Sequence, residues 1–173
     1  LTEHTTAVTD VLIQFASLPR FAPEITLLGL THERTFKAKA IKLDQGGLEP
    51  DGLVRYSLSL PYGNAQLNLY YENDRGFEGK DVWQNKLEKY IQALEKGLLG
   101  QDRIAIAVCH SGGSIVEWTE EALVNHKEYA PLVNLTDVDP LTLTPLEFCT
   151  NAIWRKPLST DLAPLLQTSP DRA

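Results

Sequence analysis

The chain has 173 residues, a net charge of −7 and 43% hydrophobic residues, which is typical of one folded domain with a self-sufficient core. The negative charge argues against a nucleic-acid backbone or an anionic membrane as the main partner, because both repel an acidic protein. No apolar run approaches the ~20 residues that cross a bilayer, so we expect a soluble protein.

The first predicted element is an amphipathic helix over residues 5–18, whose apolar side chains recur at helical spacing. Thr5, Thr6 or Thr9 is expected to cap it, and Pro19 to end it. The apolar run at 25–30 predicts a short strand. Residues 36–40 alternate between apolar side chains and lysine, which predicts a strand with one face in water. Residues 44–52 have the composition of a loop.

The clearest pattern in the chain is that of a β-hairpin. Apolar and polar residues alternate over 54–60 and again over 67–71. Proline, glycine and asparagine at 61–64 supply the turn between the two strands. One face is expected to join the core and the other to meet water. The second face offers a candidate binding surface with an exposed aromatic side chain, made of Gln66, Asn68 and Tyr70.

A long central helix is predicted next, over about 82–98, because its apolar residues form a stripe wide enough to cover a sheet. Asp81 is expected to cap its start, and Gly97 or Gly100 to end it in the left-handed conformation. Residues 103–109 then predict a central strand, since apolar side chains lie on both of its faces.

The segment after the turn at 110–113 fits two structures. Residues 114–118 could form a return strand, or Ser114 could cap a helix that runs to about Tyr129. We favour the helix, so that the central strand is followed by the turn and then by this helix. Further along, a helix capped by Thr144 is expected to run to about Trp154.

The end of the chain is predicted to hold one more helix, capped within 159–161, before a disordered tail at 168–173. The two cysteines, Cys109 and Cys149, match no zinc pattern. We expect two reduced, buried thiols, with a single bridge as the alternative.

The turn after the central strand is the strongest candidate for catalysis. The run Cys-His-Ser-Gly-Gly resembles the nucleophile elbow of α/β-hydrolases, which places a serine between a strand and a helix. A hydrolase would use Ser111 as the nucleophile and His110 or His126 as the base. The run departs from that pattern at Cys109, where the elbow requires glycine, and the nearest downstream aspartates follow His126 instead of preceding it. We therefore favour an ordinary turn.

Two aspartates, Asp137 and Asp139, lie on one side of an extended segment, an arrangement that hard cations favour. However, the sequence contains no loop with cation ligands at the required spacing. We expect a solvated acidic surface there, and neither a metal nor another cofactor.

Together these patterns predict an α+β fold in a single domain over residues 1–167. An antiparallel sheet of four to six strands carries the N-terminal helix and the central helix, and a helical or irregular C-terminal arm wraps the sheet. The order of these elements and the acidic charge resemble secretion chaperones and other small acidic adaptor proteins.

The sequence therefore predicts a binding, adaptor or chaperone-like protein that acts through contacts with another protein, and not an enzyme. The alternatives are a serine hydrolase that uses Ser111 and a domain that binds a small molecule between sheet and helix. We expect neither nucleic acid nor a membrane as partner, with a homodimer as an alternative assembly. The expected location is the cytoplasm, and a processed or exported form is the alternative.

Overall fold

The computed structural model describes residues 2–74 and 79–167, and the predicted tail at 168–173 lies outside them. The helices are α1 (Glu3–Ser17), α2 (Glu33–Ala38), α3 (Lys80–Glu95), α4 (Ser114–Leu123) and α5 (Pro145–Thr150). The strands are β1 (Ile25–His32), β2 (Ile41–Lys42), β3 (Gly47–Leu48), β4 (Gly52–Leu60), β5 (Gly63–Asp74), β6 (Arg103–His110), β7 (Val133–Thr136), β8 (Trp154–Arg155) and β9 (Leu162–Ala163).

Within the described residues, seven strands form one mixed sheet in the order β1-β4-β5-β6-β7-β8-β9. β1, β4 and β5 are antiparallel, β5, β6 and β7 are parallel, and β8 and β9 return to antiparallel pairing. The prediction of a mixed α and β fold is confirmed, but the prediction of a purely antiparallel sheet of four to six strands was wrong. The reason is that α3 and α4 are crossover connections, which place neighbouring strands in parallel.

The sheet separates two hydrophobic cores. α1 and α5 pack on one face, where Phe15, Phe148 and Trp154 are buried. α3 and α4 cover the other face, where Trp83 and Tyr90 are buried. Burial of such large aromatic side chains is the main favourable contribution to stability in a domain of this size.

Both cysteines are reduced and buried, as the sequence predicts. Burial raises the pKa of Cys109 to about 12, and it also raises the pKa of Cys149 above its usual range. The two thiols therefore stay protonated at neutral pH and act as small hydrophobic groups.

The N-terminal helix α1 lies close to its predicted position but begins earlier. Its cap is Thr2, whose side chain accepts a hydrogen bond from the Thr5 amide at 3.2 Å. A single 3₁₀ turn over Leu18–Arg20 follows the helix and contains Pro19, so the proline ends α1 as predicted.

The prediction of a strand over residues 36–40 was wrong, because the short helix α2 occupies most of this segment. His32 caps the helix, and its Nδ1 accepts from the Arg34 amide at 3.3 Å. One turn further on, Lys37 donates to Glu33 at 2.8 Å, an i,i+4 pair that supports a helix. An alternation of apolar and lysine side chains over so few residues does not distinguish one helical turn from a strand.

The predicted hairpin is confirmed as β4 and β5, which pair from Gly52 opposite Tyr71 to Leu60 opposite Gly63. β5 runs further than predicted, to Asp74, because it also pairs with β6 over its second half. In that half both faces of the strand are buried.

The predictions for the central helix, the central strand and the following helix are confirmed in outline. α3 is capped by Gly79, so Asp81 lies in its first turn instead of at the cap. Gly97 supplies the predicted left-handed stop, with a φ of 66°. After β6, the helix α4 begins at Ser114, and a return strand is not formed there.

The C-terminal arm contributes two strands to the edge of the sheet. Thr144 caps α5 as predicted, and its Oγ1 accepts from the Glu147 amide at 3.2 Å. The predicted helix after 159–161 was wrong, since Leu162–Ala163 pairs with Trp154–Arg155. Among the helices of the described residues, none has the length and apolar character needed to span a bilayer.

Candidate functional site

Of the three predicted hydrolase residues, His110 and Ser111 line the same cleft, whereas His126 does not line it. Ser111 and His126 lie beyond opposite ends of α4, a helix roughly 15 Å long. His126 lies near Glu95, with 3.8 Å between Nδ1 and Oε1, and its ring stacks on Tyr129. His110 directs Nδ1 to the Gly112 carbonyl at 2.9 Å, within its own turn. The described contacts of both histidines therefore favour a structural turn at Ser111.

The predicted binding surface on the hairpin is largely covered. Tyr70 is 4% exposed and Asn68 is 8% exposed. Both donate hydrogen bonds to the Leu99 carbonyl, at 3.2 and 3.1 Å, so the connection after α3 covers them. Gln66 is exposed. The exposure that the binding prediction requires is thus absent at Tyr70 and Asn68.

Acidic side chains meet at one end of the sheet, where β1 and β5 end and β4 begins. Gly52, the first residue of β4, pairs with the last residue of β1 and with Tyr71 of β5. The residues next to these pairs are Glu33, Asp51 and Glu72, and all three are buried. Strand pairing therefore brings together carboxylates that are far apart in the sequence.

His4, in the first turn of α1, completes a set of cation ligands with Glu33 and Asp51. Its Nε2 lies 3.2 Å from Asp51 Oδ1 and 3.5 Å from Glu33 Oε2. The ligand atoms of the three residues all lie within 4.8 Å of one another. Oε1 of Glu33 is buried and has no hydrogen-bond partner among the described residues. Because buried polar atoms usually have a partner, this oxygen is a ready ligand for a cation.

Lys86 of α3 also lies near Asp51, next to this ligand set. Its Nζ contacts Glu72 Oε2 and lies 3.9 Å from Asp51 Oδ1. Tyr90 donates to Glu72 Oε1 at 2.5 Å, and the Asn73 amide donates to Asp51 Oδ2 at 2.8 Å. Asp51 therefore links the ligand set to a positioned lysine.

The protonation of these groups reflects several carboxylates buried together. Burial is the largest influence on Glu72 and raises its pKa to about 8, while Lys86 offsets this only in part. Burial would also raise the pKa of Asp51, but the hydrogen bond with His4 and the charge of Lys86 outweigh it, so that pKa lies below its usual value. The same hydrogen bond raises the pKa of His4. Near neutral pH, a proton on Glu72 therefore reduces the negative charge of the group.

The cation-free protein is expected to lose stability as the pH rises from about 5 to 8. Folded Glu72 keeps its proton up to a pKa of about 8, whereas the unfolded chain releases it near 4.5. The folded state then binds more protons, so the free energy of unfolding falls by up to about 1.4 kcal/mol per pH unit. The raised pKa of His4 acts in the same direction above pH 6.5. Urea denaturation across this range measures the slope, and an equal slope in Glu72→Gln would contradict the assignment.

The sequence did not predict a site role for any of the four residues His4, Glu33, Asp51 and Glu72. The prediction of no metal site depended on the spacing of ligands within single segments. One signal was available. Asp51 directly precedes the first hairpin strand and Glu72 lies near the end of the second, positions that hairpin pairing places together. His4 and Glu33 carry no such signal, because the local pattern does not fix where their segments pack.

The model of the family described as Replication-relaxation matches residues 1–105, and among curated proteins no match was found. The matched part contains the ligand set together with Glu72 and Lys86, whereas Ser111 and His126 lie outside it. Because the match covers more than half of the 173 residues, the chain belongs to the replication-relaxation family.

Proposed function

We propose that this chain is a divalent-cation-dependent enzyme that cleaves phosphodiester bonds of DNA. The family description names replication and relaxation, and both are processes of DNA. Relaxation of a closed supercoiled duplex changes its linking number, which requires at least one broken strand. The observation that carries the proposal is the cluster of His4, Glu33 and Asp51 beside Lys86, within the part of the chain that the family matches.

The ligand set suits a divalent cation such as Mg²⁺ or Mn²⁺, since carboxylate oxygens are the preferred ligands of both and an imidazole is tolerated by Mn²⁺. Burial would raise the pKa of Glu33, but the hydrogen bonds from Lys37 and Thr5, together with the charges of Lys37 and His4, outweigh it and keep that pKa below its usual value. With the lowered pKa of Asp51, this leaves both carboxylates ionised at neutral pH. A bound divalent cation supplies Lewis-acid stabilisation of the charge that develops on a phosphate during cleavage.

Lys86, which lies near Asp51 beside the ligand set, would act on the same phosphate. In hydrolysis, the oxygen of water bonds to phosphorus and releases a proton to solvent, the bond from phosphorus to a sugar oxygen breaks, and that oxygen takes up a proton. An ammonium beside Asp51 can stabilise the phosphate charge and supply that proton, which solvent then replaces. Glu72 holds Lys86 in place and is itself held by Tyr90, so we assign positioning roles to these two residues.

The net charge of −7 predicted that nucleic acid is not a partner. Net charge, however, is a sum over the whole chain and does not describe the local charge at one site. Lysines are concentrated near the ligand set. Lys37 contacts Glu33, and Lys86 and Lys89 line a groove of about 290 Å³ between β3 and α3. Because phosphate contacts depend on the local field, the charge near the site favours a phosphodiester more than the average suggests.

A plasmid-nicking assay tests the proposed function. Supercoiled plasmid is incubated with the protein in MgCl₂, in MnCl₂ or in EDTA, and circular, nicked and linear forms are separated on a gel. Nicked circles are expected with either cation and not with EDTA. Cation binding is measured separately, as a rise in Tm during a MnCl₂ titration. Binding without nicking would contradict cleavage, and the absence of both would overturn the cation site as well.

A further inference from the structure

A second cleft, of about 700 Å³, opens on the α1 side of the sheet. It lies between α1, the ends of β5 and β6, and residues 137–141, and we refer to it as the acidic cleft. His110 is the basic side chain among its described lining residues, and burial lowers the pKa of this histidine, so it is neutral at pH 7. Five carboxylates line the acidic cleft: Glu3, Asp10, Asp74, Asp137 and Asp139. The acidic cleft therefore attracts cations and repels phosphates.

The remaining wall of the acidic cleft is apolar. Ala7 and Val11 of α1 form one side, and Val138, Pro140 and Leu141 form the other. Leu141 is 59% exposed, so this side is open to an incoming ligand. A wall that combines carboxylates with aliphatic groups matches a side chain that has an apolar stem and a charged head.

Asn73 adds a hydrogen-bond donor that has no partner in the part of the chain that the structure describes. This residue lines the acidic cleft and is 9% exposed. Its Oδ1 accepts from the Tyr71 hydroxyl at 2.9 Å, whereas its Nδ2 has no hydrogen-bond partner among the described residues. Because buried amide groups are nearly always satisfied, an occupant that brings a carbonyl oxygen would complete this side chain.

We propose that the acidic cleft binds an arginine-bearing peptide segment of a partner protein. A guanidinium pairs with carboxylates in bidentate fashion, the aliphatic stem of arginine fits the apolar wall, and a main-chain carbonyl accepts from Asn73. A polyamine carries no acceptor for Asn73, and a metal ion could supply one only through a bound water, so both are poorer matches. The proposal does not rest on DNA cleavage, since its residues lie outside the set of His4, Glu33 and Asp51.

Fluorescence anisotropy with a short labelled peptide of alternating glycine and arginine tests this proposal on the full chain. The double variant Asp10→Asn/Asp137→Asn is expected to bind the peptide at least about 10-fold more weakly, as lost charge-assisted pairs predict. The control Glu88→Gln/Glu128→Gln makes the same change in net charge at exposed positions away from the acidic cleft, and it is expected to leave the affinity within about 2-fold. A matched peptide with citrulline in place of arginine is expected to bind at least about 10-fold more weakly.

Asn73→Asp separates a specific donor from simple charge attraction. A cation held by charge alone would bind this variant more tightly, whereas a peptide that accepts from Nδ2 binds it more weakly. Three results would overturn the proposal: equal loss in the two double variants, full competition by spermidine at equal charge, or no binding of the arginine peptide at millimolar concentration. Circular dichroism of each variant checks that it is folded.

Discussion

Asp51→Asn is expected to reduce cation-dependent nicking of plasmid DNA by at least about 100-fold, because it replaces a charged ligand by a neutral one. The asparagine oxygen can still accept from the Asn73 amide, which holds the wild-type carboxylate at 2.8 Å, so the fold should persist. The initial rate of nicking in MnCl₂ measures the loss, and the rise in Tm with MnCl₂ should shrink in the same variant.

Asp161→Asn is a matched control for this substitution. It makes the same chemical change at an exposed position in the C-terminal arm, and wild-type nicking is expected. Nicking at the wild-type rate in Asp51→Asn would show either that a contaminating nuclease acts or that the ligand set has no part in cleavage.

Trp154→Ala is expected to lower the free energy of unfolding by about 3–5 kcal/mol, the usual cost of removing a large buried aromatic side chain. Trp154 is 1% exposed, its ring lies 5.2 Å from that of Phe148, and its indole nitrogen donates to the Phe148 carbonyl at 2.8 Å. Urea denaturation followed by circular dichroism measures the change.

Trp154→Phe is expected to lower the free energy of unfolding by less, because phenylalanine keeps much of the aromatic contact and only the hydrogen bond is lost. Trp154 lies outside the family-matched residues 1–105 but packs in the hydrophobic core that α1 covers. These variants therefore also test whether the C-terminal arm stabilises the family-matched part of the chain. A loss below about 1 kcal/mol in Trp154→Ala, the range of many surface substitutions, would show that the arm is dispensable.

The elements that the sequence predicted best are those whose pattern is long and periodic. The hairpin of β4 and β5 and the helix α3 each present a regular stripe or alternation over many residues, and local pattern alone defines them. The prediction at the short helix α2 was wrong for the opposite reason. So few residues do not distinguish the helical period of about 3.6 from the strand period of about 2.

The direction of the central strands required a different kind of reasoning. The order strand, helix, strand around α3 predicts a parallel crossover. The predicted sheet was nevertheless antiparallel throughout, because the pattern of the hairpin before α3 is antiparallel and much clearer. Alternation likewise predicted a wet face for Tyr70. Alternation tells which residues share a face, whereas a later segment of the chain, around Leu99, decides whether that face is covered.

Local sequence patterns do not predict the candidate cation site, because its residues come from separate segments of the chain. His4 belongs to α1, Glu33 to α2, and Asp51 and Lys86 to the start of β4 and to α3. None of these segments contains two ligands at a spacing that a motif would reveal. The pairing of β1, β4 and β5 and the packing of α1 and α3 against the sheet bring them together.

Asn73 contacts both proposed sites, which allows one of them to regulate the other. Its main-chain amide holds Asp51, while its side chain lines the acidic cleft. A ligand that moves Asn73 would also move the carboxylate that we assign to the cation. Thermodynamic reciprocity then requires that if a peptide in the acidic cleft changes the affinity for the cation, the cation changes the affinity for the peptide by the same factor. One residue of β5 would thus make cleavage responsive to the presence of a partner.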